Sequence, residues 1–599
     1  MADRSSLEEG FQPTNETQGL LHHRTGPWKG WKSHCVKIVI ILIIFAGIIF
    51  VFVGIASIFE SNDPTNPHLV IVRNGAVSAE QEDCSKIGVQ MLKEGGSAVD
   101  AAIAAEICVG TINAFSAGIG GGGFMIIRDS NGTAEVIDFR ETAPAAANKT
   151  MFKDKPILAK YGGLSVSIPG EVRGIEIAHQ KYGKLPWKRL FEPSIKLSRD
   201  GFKVPAELAI KMKWYEKALL ETPNLASIYA PNGKLLGEGD LLKRTNFSKT
   251  LELIAENGSE VFYRGSIAKS IIKTIQATGG IMTLEDLSNF EPVVSKPIYG
   301  YYHGRKIMTL NVPSGGPVLL SMLNILEGFQ LTRGELNGLN LHRIIETLKF
   351  GFALRTEMGD PPFTNNTERI EEIMTKDYAA KIRKNISDSI TFEPSYYNPL
   401  YDVSEDHGTT HISTVDKNNQ AVALSSTVNL IWGSQVMDLE TGILLNDEMD
   451  DFSIPGVPNY FGLYPSPYNF IIPRKKPLSS CAPAIVENNG EFEMAIGGSG
   501  GSRILSSVLQ VLLNVYDFEQ DLLTSIHTPR VHHQLIPNEI TAETGYSKEL
   551  LDELKRKNHS IKIIEYKLGV SEIQAVMRLP NGLINAASDY RKHGIAAGY

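Results

Sequence analysis

The chain has 599 residues, with 59 Lys and Arg against 67 Asp and Glu, a net charge of −8 at pH 7 and 42% hydrophobic residues. That balance excludes bulk disorder, and the net acidity argues against a nucleic-acid partner. Four cysteines exclude a disulfide scaffold and a multi-cysteine zinc array, and the length exceeds what one simple core holds.

Residues 1–37 are polar, lack apolar periodicity and read as a disordered tail. Ile38–Phe59 is a run of 22 uncharged residues, about 33 Å long as a helix. It is too long, and lies too far into the chain, for a cleaved signal peptide. Arg24, Lys29, Lys32 and Lys37 precede the run, whereas Glu60 and Asp63 follow it. The positive-inside rule then places residues 1–37 in the cytosol and residues 60–599 outside, as in a single-pass type II protein of the cell membrane. N-x-S/T sequons at Asn131, Asn148, Asn246, Asn257, Asn365, Asn385 and Asn558 agree with that side.

Residues 60–68 read as a stalk. Ser78 with Gln81 forms a capping-box pattern that opens a helix, and Gly95-Gly96 ends it. Ser97 with Asp100 opens an alanine-rich buried helix from Ala98 to about Val109. Cys84 and Cys108 lie on these two elements, which the Gly95-Gly96 turn folds back as antiparallel neighbours. A disulfide persists outside the cytosol, so a bridge is preferred to two buried thiols. Gly118–Gly123 matches GxGxxG. A helix precedes it and the strand FMIIRD follows, the reverse of a dinucleotide site, so close backbone packing is the better reading.

The region from about 170 to 400 alternates helical stretches with Gly/Pro loops and holds no repeat. Thr410–Asp416 and Ala421–Leu430 then alternate at period 2 around the turn Asp416–Asn419, which predicts a hairpin with Thr427 and Asn429 on one face. Glu491–Ile496, Gly497–Gly501 and Ser502–Phe518 read as strand, glycine turn and helix. Strands with flanking helices of this kind predict a layered α/β protein.

Three patterns bear on chemistry. His407 and His411, and the pair His532-His533, have no HExxH or C-x-x-C beside them, so no metal is expected. Gly497-Gly-Ser499-Gly-Gly501 matches the GxSxG elbow of serine hydrolases, which makes Ser499 a rival nucleophile. The Asp and His that should follow it, Asp517, Asp521 and His527, come too soon in the chain, and an anion nest of backbone N–H groups is the blander reading. Gly408-Thr409 stands at the mouth of a strand. Gly408 has no Cβ to hinder attack of the Thr409 hydroxyl on its own preceding carbonyl. Hydrolysis of the resulting ester frees an α-amine with an unperturbed pKa of roughly 7.7–8.0, suited to activate the adjacent hydroxyl. Spacing alone nevertheless favours an ordinary strand-edge threonine.

Longer motifs decide the matter. GTTHISTVDKNNQAVALSSTVNLIWGS, GILLNDEMDDF, KKPLSSCAPAIV and GGSGGSRI, preceded by GGSAVDAAIAA, GIGGGGFM and DFRETAP, resemble the γ-glutamyltransferases, or glutathione hydrolases, from about Val77 to the C-terminus. The tail, apolar run and sequons resemble the animal, membrane-anchored members. The resemblance implies an N-terminal-nucleophile hydrolase: an αββα four-layer sandwich assembled from two fragments of one autocleaved precursor, 60–408 and 409–599. It implies cleavage between Gly408 and Thr409, with Thr409 as nucleophile and Thr427 bonded to its hydroxyl. It further implies that Arg140, Ser479 and Ser480 hold the substrate α-carboxylate, that Asn429, Glu448 and Asp451 hold its α-ammonium, and that Gly500 and Gly501 are the oxyanion donors. The implied partners are glutathione or another γ-glutamyl compound and an amino acid or dipeptide acceptor, with no cofactor. His407 departs from the acid that relatives often carry at that position.

Overall fold

Thr410–Val415 pairs antiparallel with Ala421–Thr427, Thr410 opposite Ser426, and this hairpin is the centre of a sheet. Ala76–Ser78 adds to its Thr410–Val415 side and Ala597–Gly598 completes that edge. Gly122–Arg128, Ala134–Asp138 and Val293–Ser295 extend the other side, giving seven antiparallel strands. A second seven-stranded antiparallel sheet runs in the order Val70–Val72, Ile584–Ser588, Glu572–Arg578, Glu491–Ser499, Ala484–Asn488, Arg305–Thr309 and Ile298–Tyr302. The computed structural model describes residues 68–599 except 330, 332–335, 403–407, 461 and 566–570. The tail, the apolar run 38–59, most of the stalk and His407 lie outside the described residues. Among the described residues, no helix is long and apolar enough to cross a membrane.

Period-2 alternation sorts each central strand between two faces. In the first sheet Met125, Ile127, Ile412, Val422 and Leu424 pack under the helices Glu82–Lys93 and Ala98–Ile112. Phe124, Ile126, Val415, Ala421 and Ala423 point the other way, into a core shared with Ile485, Met494 and Ile496 of the second sheet. Helices Gly316–Glu327 and Arg503–Tyr516 cover the far side of that sheet. The layers are therefore helix, sheet, sheet, helix, an N-terminal-nucleophile-like α/β fold. All fifteen residues of Ala98–Ile112 are buried, which suits a helix apolar on every side.

Strands from both sides of Gly408 interleave in both sheets. Ala76–Ser78 and Gly122–Arg128 flank the Thr410–Thr427 hairpin, and Arg305–Thr309 is hydrogen-bonded to Ala484–Asn488. A cut at Gly408 thus leaves two fragments tied by backbone ladders and a common core. The glycine-rich stretch 118–123 is packing, as its context predicted: a Cβ on Gly121 would stand 1.9 Å from the Thr427 carbonyl oxygen.

Four local expectations change. Ser78 is in a strand, its hydroxyl donating to the Ala587 carbonyl at 2.7 Å, and Gln81 caps the helix by accepting from Asp83 N–H. The helix expected to end near Val109 continues to Ile112. The hairpin strand stops at Thr427, because Asn429 takes φ of 73°, so Thr427 and Asn429 do not share one strand face. The strand expected to end at Ile496 continues through Ser499. The Ser97–Asp100 capping box is formed in both directions.

Cys84 and Cys108 are joined by a disulfide, with Cα atoms 5.3 Å apart. Closing a separation of 24 residues stabilises by about 3 kcal/mol when the constraint acts on the unfolded chain. A Cys84→Ser/Cys108→Ser double variant should lose about that much in denaturant unfolding of the purified protein. An unchanged midpoint and slope would refute the assignment of a stabilising bridge.

Candidate active site

The Gly408–Thr409 peptide lies where the first sheet meets the loop after strand Glu491–Ser499. Both residues are left-handed, with φ of 91° and 98°. At Gly408 this is accessible, and a Cβ there would stand 1.7 Å from the Asn429 carbonyl oxygen, so glycine alone fits. At Thr409, a β-branched residue, it is strain on the order of 1–3 kcal/mol. Thr409 is only 5% exposed. Its Oγ1 donates to Thr427 Oγ1 at 3.4 Å, and Thr427 Oγ1 also accepts from Asn429 N–H at 2.8 Å.

Glycines at 500 and 501, with φ of 110° and 59°, turn the chain out of the strand. The turn aims Gly500 N–H at the Gly408 carbonyl oxygen, 3.1 Å away. The carbonyl that Thr409 would attack is therefore already polarised by a backbone donor. Gly501 plays a different visible part: its carbonyl accepts from Ile504 N–H at the start of the following helix. Ser499 stays in the strand opposite Glu572, and its hydroxyl donates to the Glu572 carboxylate. That hydroxyl is committed to an acid rather than to an imidazole base, so the serine-elbow reading loses its geometry.

A second cluster gathers charge. Arg140 follows strand Ala134–Asp138 and is fully buried, its N–H donating to Asp138 Oδ1 at 3.0 Å. The guanidinium donates to the carboxylates of Glu448 and Asp451 and to the carbonyls of Leu478, at 3.2 Å, and Pro477, at 3.4 Å. Burial alone would lower the Arg140 pKa, but Glu448 and Asp451 hold it above its ordinary value. Burial pushes Glu448 well above the carboxylate range, against the pull of Arg140. Glu448 and Asp451 sit on one helical turn, Glu448–Asp451, whose first N–H is held by Asn446 Oδ1 at 3.1 Å.

Ser479 and Ser480 continue the segment that wraps Arg140. Ser479 Oγ accepts from Cys481 N–H at 3.1 Å, its own N–H donates to Pro313 O at 2.8 Å, and Ser480 is buried beside it. Asn429 joins the two clusters. Its Nδ2 donates to Asp447 O at 3.2 Å, and Leu430 N–H donates to Asp447 Oδ1 at 2.9 Å, one residue before Glu448. The residues singled out in the sequence thus fall into a nucleophile group, 408, 409, 427, 429 and 500, and a charge group, 140, 448, 451, 479 and 480. Sequence reasoning missed Asp447 and Lys592. Lys592 Nζ donates to Thr409 O at 3.0 Å from the last turn of the chain, and no motif or spacing marked it.

Among the described residues, His411 is met by hydroxyls. It is held by Ser425 and Ser413 hydroxyls at 2.9 and 3.0 Å, and burial takes its pKa down to about 3. Behind the hairpin, burial raises Glu141 to about 8 and Glu171 to about 7, the latter despite a hydrogen bond from Ser426. An unfolded glutamate titrates near 4.3. Between that value and pH 7–8 the folded state keeps protons the unfolded state has lost, so stability falls as pH rises through this window. Glu171→Gln removes one such group while keeping an acceptor for Ser426. Its melting temperature should therefore fall less than that of the parent between pH 5 and pH 8. An equal fall would mean that Glu171 is ionised throughout.

A family model described as Gamma-glutamyltranspeptidase matches residues 84–599. Over 534 residues the chain is 48% identical to glutathione hydrolase proenzyme 1 of Schizosaccharomyces pombe, covering 88% of this chain and 85% of that one. The solved cephalosporin acylase from Bacillus halodurans has the same fold, with a TM-score of 0.79 at 24% identity over 89% of this chain and 97% of that one. The gamma-glutamyltranspeptidase of Helicobacter pylori matches at a TM-score of 0.50 and 33% identity, over 53% of this chain and 92% of that one.

Proposed function

This chain belongs to the gamma-glutamyltranspeptidase family, and from that premise we propose that it is a self-processing glutathione hydrolase and γ-glutamyltransferase whose nucleophile is Thr409. The observation that carries the reading is the strained Gly408–Thr409 peptide with its carbonyl on Gly500 N–H and the Thr409 hydroxyl beside Thr427. In processing, Thr409 Oγ attacks the Gly408 carbonyl carbon and an ester forms. The C–N bond breaks, and the hydroxyl proton passes to the leaving amine. Water then hydrolyses the ester, leaving a Gly408 carboxylate and a free Thr409 amine. Release of the left-handed Thr409 strain favours the step.

The same parts then act on substrate. The freed amine takes the Thr409 hydroxyl proton, and the oxygen attacks the γ-carbonyl of a γ-glutamyl amide such as glutathione. The departure of Gly408 vacates Gly500 N–H for the new oxyanion, an interaction worth roughly 2.7–4 kcal/mol per donor, with Gly501 N–H as its neighbour. The proton goes to the leaving amine. Water resolves the γ-glutamyl–Thr409 ester to glutamate, and an amino acid or dipeptide acceptor resolves it to a new γ-glutamyl amide. The α-carboxylate of the donor takes the planar Arg140 fork, with Ser479 and Ser480 beside it. Its ammonium takes Glu448, Asp451 and Asn429, where Glu448 Oε2 is a buried acceptor with no hydrogen bond. A zwitterion thus exchanges with the resident Arg140–acid pairs and leaves no buried charge uncompensated.

Thr409→Ala should remain a single chain and release no γ-glutamyl product, whereas Ser499→Ala should still cleave itself and turn over. Activity in an uncleaved Thr409→Ala protein would rule out the mechanism. Asp451→Ala should cleave at Gly408, since that step involves no glutamyl group, and then lose hundreds-fold or more in kcat/KM, matching roughly 3–5 kcal/mol for a broken buried pair. Near-normal kcat/KM for glutathione in that variant would remove Asp451 from the donor site.

We place residues 1–37 in the cytosol, a type II anchor at 38–59, and the fragments 60–408 and 409–599 outside the cell, held to each other after cleavage. The uncharged length of 38–59 and its basic leading flank support this, as does the exposure of all seven sequon asparagines. Protease added to intact cells should degrade the catalytic fragments and spare the tail. Protection of the catalytic fragments would reverse the orientation.

A further inference from the structure

Lys592 closes the C-terminal turn Tyr590–Lys592, which starts from Asp589. Asp589 accepts from Arg530 at 2.8 Å and Arg591 at 3.0 Å, so the turn is fixed by buried ion pairs. The Lys592 ammonium is buried and donates to the Glu80 carboxylate and to the Thr409 carbonyl. Glu80 is itself held by Asn113 Nδ2 at 2.8 Å and Ser116 Oγ at 3.1 Å, just past the buried helix Ala98–Ile112. Nothing in the chemistry above uses this lysine, yet it touches the one residue on which both reactions turn.

We propose that Lys592 is a positioning residue for the Thr409 nucleophile: it grips the Thr409 carbonyl so that the residue keeps its place once the Gly408 bond is cut, and its fixed positive charge biases the freed α-amine toward the unprotonated form. The inference rests on Thr409 being the N-terminal nucleophile. Before cleavage Thr409 is anchored through both of its peptide bonds. Afterwards its nitrogen is a chain end, and only the carbonyl side and the side chain still hold it. An ammonium one hydrogen bond from that carbonyl is a few bonds from the α-nitrogen, and a like charge within about 4–6 Å disfavours protonation. The base that must take the hydroxyl proton is then available at neutral pH.

The surrounding charges fit this role. Burial alone would discharge Lys592, but Glu80 and Glu572 keep its pKa above the ordinary lysine value, so it stays charged. Glu207 also faces it, and Glu207 is paired with Lys211 at 3.1 Å. Glu572 accepts from Ser499, which gives that serine a structural task beside the nucleophile. On the hairpin side, burial holds His411 neutral, and it pushes Asp447, reached through Asn429, well above its ordinary value. Among the described residues, Lys592 is thus a fixed cation in contact with Thr409.

The test compares Lys592→Met and Lys592→Arg in processed enzyme, following kcat/KM against pH for hydrolysis of a chromogenic γ-glutamyl anilide. Lys592→Met should lower kcat at least tenfold, leave KM within about twofold, and move the acid limb up by about one pH unit, because the amine becomes easier to protonate. Lys592→Arg should bring the limb back. An acid limb that stays put in Lys592→Met overturns the proposal. If Lys592→Met does not process or fold, Lys592→Gln decides. It keeps a donor for the Thr409 carbonyl and removes the charge, so its limb should also move up, and an unmoved limb overturns the proposal. Failure here leaves Thr409→Ala inactive, whereas failure of the nucleophile assignment itself shows as an active Thr409→Ala protein, so the two are separable.

Discussion

One hydrogen bond organises the molecule's chemistry: Gly500 N–H to the Gly408 carbonyl oxygen. Gly408 leads into the central hairpin of one sheet, and Gly500 leaves a central strand of the other. The contact therefore exists only when both seven-stranded sheets are in register and packed face to face. Glycine is required at each end, by the Asn429 carbonyl at Gly408 and by the left-handed turn at Gly500. In the proposed mechanism the donor that polarises the chain's own peptide before cleavage then stands where a substrate carbonyl would come after it. One backbone geometry would thus serve processing and turnover, the first reaction clearing the site for the second.

The charge group solves a separate problem. In the proposed reading a γ-glutamyl donor brings a carboxylate and an ammonium to a buried cluster. Burying either alone is expensive, and the resident Arg140–Glu448–Asp451 cluster would let both enter by exchange of partners. Such a cluster is weak evidence for stability, and in the proposed reading a donor lacking one charge would leave a protein charge unpaired. Asn429 and Asp447 link the charge group to the nucleophile group through the Asn429 amide and the Leu430 N–H.

Most of the fold was legible because its signals were local. Period-2 alternation at 410–427 marked the hairpin, Ser97 and Asp100 marked a helix start, and both features are formed. The errors came where tertiary contacts override local pattern. Ser78 resembles a cap but serves a strand, and the glycines at 497 and 498 resemble a turn but continue a strand against Gln574 and Ile573. The site residues came from motif resemblance, since a lone Gly-Thr or a lone Arg carries no spacing signal. Lys592 was invisible for the same reason. Its partner Glu80 lies 512 positions away in the chain, and only the closed fold brings them together.

The most direct measurement of the central claim is the mass of the C-terminal fragment of purified enzyme, acid-quenched during turnover of a γ-glutamyl donor. A fragment beginning at Thr409 and carrying a γ-glutamyl ester on the Thr409 peptide is the expected result. An adduct on the Ser499 peptide, or turnover by a chain still intact across Gly408–Thr409, would contradict the account.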